Sequence, residues 1–191
     1  MPNWCMNKLT VEHDDKAMID KFEKAYRADW TIETFLPTPR DPGDPTKLIG
    51  EDQPFGDNEN TTNNWYHWRI ANWGTKWDIG CEAQNGAYGL EPTRSGNELS
   101  VSFDTAWSPP IGFYERLVVL GFKVDASYFE PGMSFCGSWK NGTDNFYEGQ
   151  WTEFPQKLID LYDIAEYNNC LLYTSDAADE GLGVDLGGRR I

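Results

Sequence analysis

An α+β sandwich, with one antiparallel sheet and helices on one of its faces, is the fold class this chain predicts. Three observations carry the prediction: strand-period and helix-period segments alternate along the chain, two strand–helix–strand halves are separable, and a long polar insertion divides the first half.

"NKLTVEH" (7–13) alternates around Leu9 and Val11 and reads as the first strand. Asp14 and Asp15 can cap a helix running to about Arg27, with Met18, Ile19, Phe22 and Tyr26 on one stripe. The stretch 36–64 mixes proline and glycine with acids and asparagines, so it buries little and reads as a long loop insertion. "NWYHWRIANWGTKWD" follows, with Trp65 and Trp68 at spacings of a short helix that ends near Gly74. "KWDIGCEAQ" reads as a strand, and "ELSVSFDTAW" alternates strictly, with Leu99, Val101 and Phe103 pointing one way. In "SPPIGFYERLVVLGF" Ser108 is the expected N-cap, Pro109 lies in the first turn, Leu117 and Leu120 face inward, and Gly121 stops the helix. "FKVDASYFE" and "MSFCGSWKNG" form a hairpin around Pro131-Gly132. A last helix over about 155–167 presents Leu158, Leu161, Tyr162 and Ala165. Two βαβ halves in one antiparallel sheet describe a ferredoxin-like fold, expected as one domain over 1–169 with its insertion at about 36–64.

The segment after Asn169 differs from all that precedes it. Cys170–Glu180 and Val184–Ile191 resemble the in-frame translation of a transposase sequencing adapter and its outer primer, in the right order. It is therefore read as an artefactual tail on a metagenomic read, and no function is drawn from it.

The net charge is −15, from 31 acidic and 16 basic residues. Removing the tail, with four acids and two arginines, leaves the acidity in place. Such a charge opposes direct nucleic-acid binding and attraction to anionic membranes. No apolar run reaches membrane-spanning length, and the start lacks the pattern of a signal peptide, so the expected compartment is the cytoplasm of a bacterial host. Cys5, Cys81, Cys136 and Cys170 are scattered without C-x-x-C, which points to reduced thiols.

Four motifs, "MPNWCMNKLTV", "ANWGTKWD", "FDTAWSPP" and "YFEPGMSFCG", together resemble the YubB-like family of plasmid, genomic-island and phage proteins. The resemblance spans residues 1–137. It implies a ferredoxin-like domain on a mobile element and brings no catalytic residue with it.

No catalytic motif stands out. His13 and His67 lack a triad context, and no H-E-x-x-H, P-loop or G-x-G-x-x-G occurs. Cys81 and His67 could pair on a metal but read better as unrelated core residues, and no metal or cofactor is expected. Trp73, Lys76, Trp77, Trp107 and Ser108 form a candidate ligand pocket, in which a cation between two rings and the start of a helix would hold an anion or a nucleotide-like ligand. Asp41, Asp44, Glu51, Asp52, Asp57 and Glu59 form a candidate partner-binding arm that orders on a basic groove. The leading functional expectation is a phage or plasmid accessory protein without enzymatic activity, an acidic inhibitor of a host or rival defence protein with a basic surface. The alternatives are a protein that sequesters a nucleotide-like molecule, and an uncharacterised enzyme.

Overall fold

The computed structural model describes residues 3–52, 64–81 and 89–168. The chain divides into two compact units, Met1–Glu148 and Gly149–Ile191.

In the first unit, β1 (Trp4–Glu12) leads into α1 (Lys16–Arg27). α2 (Thr31–Phe35) and α3 (Trp65–Trp73) follow and flank the insertion on either side. β2 (Thr93–Ser95), β3 (Glu98–Ala106), α4 (Ile111–Val119), β4 (Lys123–Glu130), β5 (Phe135–Lys140) and β6 (Thr143–Glu148) follow. The six strands form one sheet in the order β2-β3-β1-β4-β5-β6, every neighbour antiparallel. The first four reproduce the ferredoxin-like arrangement, and the β5–β6 hairpin extends it on the β4 side.

Alternation decides which face is covered. Leu9 and Val11 of β1, Leu99, Val101 and Phe103 of β3, and Val124 and Ala126 of β4 point to one side. There they share a core with Ile19, Phe22 and Tyr26 of α1, Ile32 and Phe35 of α2, Trp73 of α3 and Phe113 and Leu117 of α4. The other face carries Lys8, Thr10, Ser100, Ser102, Ser127 and Ser138, all at least partly solvent-exposed.

The helix termini follow local chemistry. The Asp15 carboxylate accepts from Ala17 N at 2.9 Å and caps α1. His13 is absorbed structurally: its Nδ1 accepts from Asp15 N at 2.9 Å, and its other ring nitrogen lies 3.2 Å from the Leu120 carbonyl. α3 is capped by Asn64 and ends at Gly74, which adopts φ 87.

Two expectations are corrected. Residues 76–81 are not a strand: the Asp78 carboxylate instead accepts from Ile32 N, Glu33 N and Ile79 N at 2.7–2.9 Å, which fixes this segment across the start of α2. The rest of that expected strand lies outside the described residues. The partner of β3 on this side is the three-residue β2, turned at Gly96. Ser108 does not cap α4, whose N-cap position is Pro110.

In the second unit, a 3-10 turn at Trp151–Glu153 precedes α5 (Gln156–Leu161). The expected single helix is interrupted, because Asp163 adopts φ 50, and helical turns resume at 164–168. Among the described residues of this unit Phe154, Leu158, Ile159 and Ile164 are buried, whereas Leu161, Tyr162 and Ala165 of the expected stripe are only partly so. Among the described residues no helix is long and apolar enough to cross a membrane.

Candidate functional site

The candidate site forms where the end of α3 meets the turn between β3 and α4. Gly74 permits the approach: its φ of 87 suits glycine, and a Cβ there would lie 2.7 Å from the Pro109 carbonyl. The Ser108 hydroxyl donates to the Gly74 carbonyl at 2.6 Å, and the Thr105 hydroxyl donates to the Ser108 carbonyl at 2.8 Å. Ser108 is thus a structural clasp rather than a ligand-facing donor.

This clasp brings Lys76 and Trp77 beside Trp107. The Lys76 ammonium lies 4.0 Å from the centre of the Trp77 ring and 4.1 Å from that of Trp107. Trp4, from the start of β1, packs against Trp77 in a tilted arrangement with centroids 5.6 Å apart. The backbone N–H of Trp107 donates to the Asn3 carbonyl at 2.9 Å. The sequence places the cation between Trp73 and Trp77; the structure places it between Trp77 and Trp107. Burial among the rings pulls the lysine below its ordinary pKa. Lys76 forms no ion pair among the described residues.

Trp107 has φ 68 and is 40% exposed. A bulky side chain in left-handed backbone costs about 1–3 kcal/mol, and here the strained residue presents its ring to solvent.

Trp73 is not ligand-facing. It is fully buried, its indole N–H donates to the Leu36 carbonyl at 2.8 Å, and the Arg69 guanidinium lies 4.2 Å over its ring. Sequence reasoning passed over Arg69. Its guanidinium donates to the Thr38 hydroxyl at 2.9 Å and pairs with Glu33 at 3.3 Å, with only 11% of either side chain exposed. The signal was present, since Trp65, Arg69 and Trp73 recur at helical spacing and place the cation on one face with two rings.

The described part of the acidic loop is already turned by its own carboxylates. Asp41 accepts from Gly43 N at 2.7 Å, and Asp44 accepts from the N–H and hydroxyl of Thr46, which lowers its pKa. Glu51 accepts from Leu48 N at 2.7 Å, and Asp52 pairs with Lys47 at 2.5 Å. For these four residues of the expected partner-binding arm, the structure shows local turns closed by their own carboxylates. Asp57 and Glu59 lie outside the described residues.

Asp104 sits opposite Met6, two positions along β3 from the pair Trp4–Ala106. Partial burial pushes its carboxyl up to about 6. The folded value exceeds the unfolded one, so ionising Asp104 opposes folding, and its full stability is present only below about pH 4. That contribution is lost as pH rises through about 6. Asp104→Asn is expected to raise stability by about 1 kcal/mol at neutral pH, the shift being discounted for partial exposure. The gain should vanish near pH 4; denaturation at both pH values checks it, and a pH-independent gain would contradict the assignment.

Among the described residues, no three His, Cys, Asp or Glu side chains are grouped to hold a metal ion. The structure is thus a ferredoxin-like fold carrying a tryptophan–lysine cluster that is partly exposed. No family model matches the chain, and no curated protein matches it. It is similar to a solved structure, protein api92 from Yersinia pseudotuberculosis of family DUF1281, at 12% identity and a TM-score of 0.44. The match covers 78% of this chain and 99% of that one.

Proposed function

We propose that this is a binding protein without enzymatic activity whose Lys76–tryptophan cluster takes an anionic ligand bearing a planar ring, a nucleotide-like molecule in chemical class. One observation carries the reading: in a chain of net charge −15, Lys76 is held between two indoles with no carboxylate partner among the described residues. An ammonium desolvated in this way gains from an incoming anion, and the exposed ring of Trp107 offers a stacking surface beside it.

The test is thermal denaturation with adenine and guanine nucleotides. A ligand at about a hundred times its Kd adds about 2.7 kcal/mol to stability. Trp107→Gly relieves the strained backbone, so its melting temperature is expected to stay level or rise while the nucleotide-induced shift disappears. Lys76→Ala should lose the shift as well. Absence of any shift in the unmodified protein, or its persistence in both variants, would refute the reading.

A second reading is supported by the ordered acids of the loop. Asp41, Asp44, Glu51 and Asp52 are fixed by short hydrogen bonds and need little ordering to meet a cationic surface. Under this reading the protein is a phage or plasmid accessory factor of the YubB-like kind, acting in the host cytoplasm. It would occupy the basic, nucleic-acid-binding surface of a defence protein.

A further inference from the structure

We infer that the outer edge of β6 accepts an extended, basic segment of a partner protein as an added strand. For the sign of the partner's charge this rests on the second reading above; the surface is separate from the acidic loop and from Lys76.

The argument begins at the turn. Asn141 and Gly142, with φ 44 and 97, join β5 to β6 as a two-residue loop of the type that matches strand twist. Such a loop is closed by a hydrogen-bonded pair, here Lys140↔Thr143. Alternation then directs the backbone groups of Asn145 and Tyr147 toward β5 and those of Asp144, Phe146 and Glu148 outward. All six residues of β6 are exposed, and β6 is the last strand in the sheet order. A strand edge of this length is normally blunted by proline, a bulge or charged side chains; β6 contains no proline, keeps an unbroken register with β5, and its only charges are the acids Asp144 and Glu148, which repel an acidic strand but not a basic one. The opposite edge, β2, has only three residues, and its Arg94 is bound to Asp20 and Glu23.

The side chains define what fits. Asp144, Phe146 and Glu148 share one face of the strand at alternate positions. Phe146 is 49% exposed and lies 5.4 Å from the Phe135 ring, and Asp144 accepts from the Tyr128 hydroxyl at 2.7 Å. An added strand therefore meets acid, aromatic, acid in succession. Its complement is basic, apolar, basic at alternate residues, and charge and backbone hydrogen bonds then act together. A second copy of this chain is disfavoured, because it would bring the same acids and the same net charge of −15 to the contact.

The test uses the full chain and a short synthetic peptide with arginine, leucine and arginine at alternate positions, measured by calorimetry. Binding is expected to weaken at least about tenfold when the arginines become glutamates, and equally when alternate peptide amides are N-methylated. Hydrogen exchange should show the amides of Asp144, Phe146 and Glu148 becoming protected in the complex. Phe146→Pro removes an outward donor without touching the β5 ladder, and it should abolish binding. Neutralising Asp41 and Asp44 should leave the peptide affinity unchanged, which separates the edge from the acidic loop. Equal affinity for the N-methylated peptide, or no protection at these three amides, would overturn the inference even if Phe146→Pro failed to fold.

Discussion

Trp73→Ala is expected to cost the fold about 4 kcal/mol, measured by urea denaturation. The ring is fully buried in the core shared by the sheet and the helices, and its N–H is committed to the Leu36 carbonyl. Truncation opens a cavity, orphans that carbonyl and removes the surface on which the Arg69 guanidinium lies. Trp107→Ala is the control. Its ring is partly exposed and its backbone is strained, so the cost should stay within about 1 kcal/mol. Similar costs for the two substitutions would remove Trp73 from the core.

Arg69→Leu ranks next, at about 3 kcal/mol. Burial lowers the pKa of Arg69, the direction that desolvation of a cation dictates, and Glu33 is the opposing charge. Leucine keeps bulk against Trp73 but removes the buried cation paired with Glu33, which keeps Thr38 and the more exposed Arg40, and it leaves the Thr38 hydroxyl without its donor. Adding Glu33→Gln should recover part of the loss, and a double-mutant cycle is expected to show about 2 kcal/mol of coupling between the two sites. Arg69→Lys should not rescue fully, because a point charge cannot stack on the indole and serve Thr38 and Glu33 together. Additive losses would mean the pair is incidental. The exposed Lys16–Asp20 pair on α1 is the contrasting case, where removal should change little.

Legibility in the sequence followed the range of the signal. α1, β3, α4 and the β4–β5 hairpin were readable because each buries one face, so its apolar residues recur at a fixed period. β6 was not, since both of its faces are exposed and no period is imposed. The stretch after Gly74 has strand-like composition, yet a single carboxylate, Asp78, binds it across α2, and a tertiary hydrogen bond of that kind leaves no periodic trace. The site was half legible. Lys76, Trp77 and Trp107 were named, but the ring opposite Trp77 was misassigned to Trp73. Helical spacing turns Trp73 inward, and the true partner arrives from the far end of β3.

The position of β1 has a consequence in time. It is made first and lies between β3 and β4, with Trp4 opposite Ala106 and Met6 opposite Phe129. On a ribosome, both neighbours appear only after most of the unit has been synthesised. β4, β5 and β6, joined by short turns, close locally and quickly, whereas β1 must wait for long loops to close around it. The strand at the centre of the finished sheet is therefore among the last to gain its neighbours, and until then only the adjoining α1 is at hand to cover Leu9 and Val11.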